Sequence, residues 1–302
     1  MRTDLRGGAW IHVQDPDEEE QAWLRDEAGI PVDWIGDALD PYQRPRFQRS
    51  DDLVLLIVLC SRTARTRPEP FATVPLGIVL LQDRAVTICR RDPDLIDDAR
   101  GSGEDGARSP SGIALEILAA NEEIFRRDLR EIHDHSTFEE EELRASLTGG
   151  RLGNLIDQGR SLAYFDSALR SNGRVLEAAR GDGLFEGDGG LRAALEEVRE
   201  RNDENSELAE VFSRIHGDLM EGFSSLVSMN LNALVRTLTE ITIALAVPAI
   251  IVGLWGMNVP TPFAGSRIGF AVLTVFVVAL TVVTFLAIRY AERIGPRPGR
   301  RS

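Results

Sequence analysis

The sequence predicts an α+β membrane protein: an N-terminal α/β body, a long stalk helix and two C-terminal transmembrane helices. Three observations carry this. Apolar, β-rich runs at residues 53–59, 74–81 and 85–89 alternate with Arg/Thr/Pro turns. An apolar stripe free of proline continues from Leu191 to Pro248. Two uncharged apolar runs then follow near the C-terminus.

Residues 1–98 read as a cytoplasmic α/β domain. Residues 10–13 form a strand, and the acidic stretch after it is a helix start with Asp15 as cap, Pro16 at the first position and Asp17 to Glu20 facing the positive end of the dipole. Residues 99–112, rich in Gly, Ser and Pro, are a linker. Residues 113–190 are helical, with amphipathic segments at 113–147 and 152–179 and a sharp Gly-rich turn at 180–190. The stalk occupies 191–238, where Leu191, Leu195, Val198, Leu208, Phe212, Ile215, Leu219, Phe223 and Leu226 recur at helical spacing and polar Asn202 and Asn205 interrupt them. A helix from Leu191 to Trp255 would reach about 100 Å at 1.5 Å per residue, and its unpartnered stripe predicts self-association.

The chain has 302 residues and a net charge of -14. That sign disfavours nucleic acid as a partner, and the 43% apolar content excludes a disordered chain. The charge is unevenly placed: from Thr239 onward six Arg face two Glu, so the tail carries +4 and residues 1–238 carry -18. The first uncharged run, Ile241 to Ser266, has 26 residues and the second, Ile268 to Ile288, has 21. About 20 apolar residues span a bilayer core. The expected layout is therefore transmembrane helix 239–258, an extracytoplasmic loop 259–267, transmembrane helix 268–288 and a basic tail 289–302. The Arg-rich tail belongs on the cytoplasmic side, and two spans return the body to that side, giving a plasma-membrane protein with both termini cytoplasmic. No apolar signal run opens the sequence. Cys60 and Cys89 then lie in a reducing compartment and read as small core residues, not as a disulfide or metal pair.

The end of the first span reads Trp255-Gly256-Met257-Asn258. With two C-terminal spans, an acidic body, a long preceding helix and a basic tip, it resembles the CorA family of divalent metal-ion transporters, whose signature is an aromatic residue followed by Gly-Met-Asn. Asn232, Arg236, Leu238 and Thr239 resemble the family's entry segment, with Val235 and Arg236 in place of Met and Lys. Trp10-Ile11, Asp15-Pro16, Glu18-Glu19 and Gln43 to Arg46 resemble its cytoplasmic domain.

The resemblance implies a funnel-shaped homopentamer whose first span lines the pore and whose ring of Gly256, Met257 and Asn258 holds a hydrated cation at the mouth. Mg²⁺ keeps its waters when bound, and uncharged amide oxygens hold it weakly enough to release it. Counting back from Asn258 in steps of three to five gives Gly253, Ala249, Ala246, Thr242, Thr239, Val235 and Asn232 as pore-lining candidates. The alternative for this small-residue face is helix packing alone. By the same resemblance Glu196, Glu197, Glu200, Asp203 and Glu204 are one side of a cytoplasmic metal sensor; as plain chemistry they also suit a solvated helix face. Arg289, Arg293, Arg297, Arg300 and Arg301 resemble a basic collar, and lipid head groups suit them equally.

Mg²⁺ is the expected cargo, with Co²⁺ and Ni²⁺. Residues 259–266 contain no carboxylate, a departure that leaves a ZntB-like, proton-coupled zinc transporter as the alternative. His133 and His135 stand two apart on a helix and so face different sides; with His12 and His216 they do not decide the metal. The rival of another class is a membrane-anchored sensor or scaffold without flux. No P-loop, Gly-x-Ser-x-Gly, His-Glu-x-x-His or zinc-spaced Cys set occurs, so no enzyme is expected. No obligatory protein partner is evident besides the homopentamer and membrane lipids.

Overall fold

The structure is a computed structural model and describes residues 1–5, 8–63, 71–96, 109–145, 149–186, 189–256 and 267–294. It divides into two compact units, Met1–Leu219 and Met220–Ser302.

The first unit is built on a six-stranded sheet of order β1-β2-β6-β5-β4-β3, comprising β1 (Arg2–Leu5), β2 (Trp10–Gln14), β3 (Arg46–Ser50), β4 (Leu53–Thr63), β5 (Phe71–Leu80) and β6 (Ala85–Cys89). Among the described residues, only the β2–β6 pairing is parallel and the other four are antiparallel. The central strands are apolar on both faces because both are covered. Along β4, Val54, Leu56, Val58 and Cys60 enter one core cluster while Leu55 and Ile57 enter the other, the two-residue alternation of a strand. On the second face lie α1 (Glu18–Asp26) and α2 (Val32–Leu39). Gly77 of β5 allows this approach, since a Cβ there would stand 2.6 Å from the Cβ of Ala38.

The other face carries helices α3 (Pro110–Ala145) and α4 (Gly149–Gly181) and the first part of α5 (Gly189–Trp255). Beyond the sheet these three helices share a cluster of Phe125, Leu129, Ile132, Leu162, Phe165, Leu169 and Ala209. Phe165 makes edge contacts with Phe125 and Phe71, with ring centroids 5.0 and 6.1 Å apart. The second unit holds the remainder of α5 and α6 (Arg267–Ile294).

Several expectations change. The cap of α1 is Asp17, not Asp15: the Asp17 carboxylate accepts from Glu20 N at 2.9 Å, and Glu20 Oε2 accepts from Asp17 N at 3.2 Å, a capping box. Asp15 instead has a φ of 41° in the turn after β2. β1 and β3 were not expected. Both are edge strands, polar and largely exposed, so they lack an apolar signature. Helix α3 already includes residues 110–112 of the expected linker, whereas 97–108 lie outside the described residues. The last helix runs past its expected end at 288, because residues 289–294 of the basic tail continue α6.

Candidate functional site

From Ile241 to Trp255 helix α5 carries no charged residue, and Arg236 and Glu240, 3.3 Å apart, are the last charges before it. Among the described residues, two segments are long and apolar enough to cross a membrane, one within α5 and one at Ile268–Ala287. Both expose large side chains: Leu245 is 65% exposed, Phe270 73% and Val275 69%. Such surface suits a hydrocarbon solvent and not water. Pro248 lies inside α5. Its missing N–H is tolerated in an otherwise apolar spanning helix.

Exposure is not uniform around α5. Ala244, Val247, Pro248, Ile251 and Trp255 are half-buried, and α6 offers a matching face of Gly269, Leu273, Val277, Leu280, Thr281 and Thr284. The seven pore-lining candidates Asn232, Val235, Thr239, Thr242, Ala246, Ala249 and Gly253 are all exposed. At 100° per residue their average direction lies about half a turn from the half-buried face. Thr239 and Thr242 donate their hydroxyl protons to the carbonyls of Val235 and Leu238, both at 2.8 Å. Each hydroxyl oxygen keeps acceptor capacity, the polarity that the waters of a hydrated cation require. Gly256 closes the helix, its N–H donating to Val252 O at 3.0 Å. Met257 and Asn258 lie outside the described residues, as does loop 259–266.

On the stalk, Glu196 pairs with Arg199 at 2.6 Å and Arg180 at 3.6 Å. Glu197 pairs with Arg201 at 2.5 Å and Glu204 with Arg126 at 2.6 Å, while Glu200 and Asp203 are exposed. Among the described residues these five acids do not converge on one point within a single chain. Glu197 also lines an open cleft of about 440 Å³ together with Glu116 of α3, Leu191 and Val198. The backbone of Arg289 and Arg293 is helical; their side chains, and Arg297, Arg300 and Arg301 entirely, lie outside the described residues.

Sequence reasoning missed a buried polar junction between the stalk and the body. Glu122 of α3 is 2% exposed and accepts from Asn202 Nδ2 at 3.1 Å and Asn205 Nδ2 at 2.9 Å. Burial pushes its carboxyl up to about 7, against the opposing effect of both amides and Arg126. Nearby, the Asn172 amide brackets Leu59, donating to its carbonyl at 2.7 Å and accepting from its N–H at 2.9 Å. Ser61 donates to Asp128 at 2.6 Å, and burial raises that carboxyl too. Burial raises the Cys60 thiol well above its usual range, and Glu122 adds to the effect. The signal for the junction was the interruption of the stripe by Asn202 and Asn205; its partner, some eighty residues earlier, had no local mark. Of the histidines, His133 stacks on Phe212 with ring centroids 4.3 Å apart and His135 is exposed, so the two do not form a pair.

Residues 6–290 match the family model of the CorA-like Mg²⁺ transporter protein. The chain is 24% identical over 294 residues to the cobalt/magnesium transport protein CorA of Methanocaldococcus jannaschii, covering 92% of this chain and 89% of that protein. The complete structure of the CorA magnesium transporter from the same organism matches with a TM-score of 0.77 at 23% identity, over 95% of this chain and 90% of that one. The ZntB cytoplasmic domain from Vibrio parahaemolyticus matches with a TM-score of 0.59 at 15% identity, over 73% and 88% of the two chains. These structural likenesses establish a shared fold.

Proposed function

The chain belongs to the CorA-like Mg²⁺ transporter family, and we propose that it is a homopentameric Mg²⁺ channel, also passing Co²⁺ and Ni²⁺, that closes when cytoplasmic metal is plentiful. The observation that carries this reading is the direction of the small-residue face of α5. The face from Asn232 to Gly253 is uncharged and exposed, and it points away from the half-buried side of the helix. A lone pair of helices encloses no path, so symmetric copies must bring these faces together around an axis. Small side chains there leave room for an ion with its waters, and Asn258 amides at the mouth would contact those waters without stripping them. Passage is then driven by the ion gradient and the membrane potential, with both termini on the cytoplasmic side, as the Arg-rich tail supports.

Gating fits the stalk chemistry. Glu197 and Glu204 are held by Arg201 and Arg126 in one chain, and a metal ion bound between protomers would compete with such pairs. Binding that favours the closed assembly shifts the population toward it. A zinc-carrying, proton-coupled reading is favoured by one observation, the carboxylate-free loop 259–266 with Arg267 beside it; a silent sensor or scaffold is the reading without flux. Uptake of Mg²⁺, Co²⁺, Ni²⁺ and Zn²⁺ into liposomes, with and without a pH gradient, separates them. The proposal expects Mg²⁺ uptake indifferent to the pH gradient. Zinc uptake that needs the gradient, or no uptake at all, would overturn it.

A further inference from the structure

The parallel strands β2 and β6 bring together three metal-ligating side chains from distant parts of the chain. His12 of β2 stands in register with Thr87 of β6, and Cys89 lies two residues further along the same face. Asp92 follows in the turn beyond β6. His12 and Cys89 are fully buried, while the Asp92 side chain is 16% exposed and so leaves one opening toward solvent.

The three ligand atoms form a small triangle. His12 Nε2 is 2.9 Å from Asp92 Oδ1, Asp92 Oδ1 is 3.4 Å from Cys89 Sγ, and Cys89 Sγ is 4.0 Å from His12 Nε2. A triangle with these sides has a centre about 2.0 Å from every corner. Zinc bonds to nitrogen and oxygen run at about 2.0–2.2 Å and to sulfur at about 2.3 Å. An ion slightly out of the plane satisfies all three without moving any element of the fold.

From this geometry we propose that His12, Cys89 and Asp92 form a Zn²⁺ site inside the cytoplasmic domain, built from none of the pore candidates or stalk acids. The donor set selects the metal. One imidazole, one thiolate and one carboxylate suit a borderline-soft tetrahedral cation, whereas Mg²⁺ takes hard oxygen ligands in an octahedron. A thiolate and a carboxylate balance the two charges of Zn²⁺, so no net charge is buried. Water completes the tetrahedron from the open side at Asp92.

The surrounding residues orient the ligands as a metal site requires. With Nε2 on the metal, His12 Nδ1 carries the proton and donates to Thr87 Oγ1 at 2.8 Å. Thr87 Oγ1 also accepts the indole N–H of Trp10 at 2.8 Å, which fixes the hydroxyl in place. Arg62 Nε holds the backbone carbonyl of Asp92 at 3.2 Å, and Asp15 N holds that of Cys89 at 2.9 Å. The ion would tie the turn after β6 to β2.

The test uses the purified full-length chain in detergent. Co²⁺ serves as the spectroscopic probe, and Zn²⁺ content is measured after dialysis. The expected result is a thiolate-to-cobalt charge-transfer band in the near ultraviolet that Zn²⁺ displaces, with about one tightly held Zn²⁺ per chain. Cys89→Ser and His12→Gln abolish the band, while Cys60→Ser retains it. Thr87→Val retains the band at saturation but weakens affinity by about 10–100-fold. X-ray absorption of the zinc-loaded wild-type protein needs no variant and is expected to show one sulfur among nitrogen and oxygen neighbours. A zinc shell without sulfur, no charge-transfer band in the wild type, or a band that survives Cys89→Ser would each overturn the site. None of these readouts depends on whether the pore conducts.

Discussion

Asn205 on the stalk helix grips Glu122 of α3 twice with one amide, its Nδ2 standing 2.9 Å from the Glu122 backbone oxygen and 2.9 Å from Oε2. Asn202, one turn earlier, donates to the other carboxylate oxygen at 3.1 Å. The titratable and charged groups around this carboxyl are Arg126 on its own helix, Asp203 on α5 and, from β4, the neutral thiol of Cys60. The junction is where the stalk is registered on the body, and its carboxyl titrates near neutrality.

Folded Glu122 keeps its proton up to about pH 7, whereas the unfolded chain loses it near the ordinary value of 4.5. Between those values the folded state binds the extra proton, so its stability falls as pH rises, by roughly 3 kcal/mol over the window. Glu122→Gln removes the ionisation. Its thermal midpoint is expected to overtake that of the wild type near pH 8 and to match it near pH 5; parallel midpoint curves for the two proteins would count against the assignment.

His216 behaves with the opposite sign. It packs on Gly159 of α4, and burial lowers its basicity. The folded state therefore holds it neutral, and the stabilisation present above the unfolded value of 6.5 is lost as pH falls through the folded one. A Cβ at Gly159 would stand 2.6 Å from His216 Nε2. Gly159→Ala is expected to cost about 1–3 kcal/mol in unfolding by denaturant, and an unchanged midpoint would show that the contact is loose.

If the small-residue face of α5 lines the path, bulk on it blocks ions and bulk on the lipid side does not. Ala246→Leu is expected to reduce Mg²⁺ flux sharply, whereas Val275→Leu on the exposed side of α6 leaves it unchanged. Equal flux in the two variants would reassign the face to helix packing.

For gating, the double change Glu197→Gln and Glu200→Gln is expected to shift inhibition by cytoplasmic Mg²⁺ to about fivefold higher concentration or more. An inhibition curve that coincides with the wild type would remove these acids from the sensor.

The parts of the fold written in local pattern were legible in the sequence. The charge-free run after Glu240, the alternating apolar β4 and the stripe of α5 each announce themselves within a few turns or strands. What was not legible depends on long-range pairing. β1 and β3 are polar edge strands recognisable only through their partners. Glu122 finds Asn205 across 83 residues, and His12 finds Cys89 across 77. Asn202 and Asn205 were visible as interruptions, but only the packed helices show that the gaps in the stripe are filled by a buried carboxyl. The pore candidates were readable as small residues at helical spacing, while their separation from the half-buried side needed the exposure of each residue.

In the proposed pore, divalent cations pass a mouth formed by Asn258. The most direct measurement is Mg²⁺ influx into liposomes containing the wild-type protein or Asn258→Ala, matched for the amount of assembled protein. The expected result is Mg²⁺ flux in the wild type that falls to the level of protein-free liposomes in the variant. Undiminished Mg²⁺ flux through Asn258→Ala would contradict it.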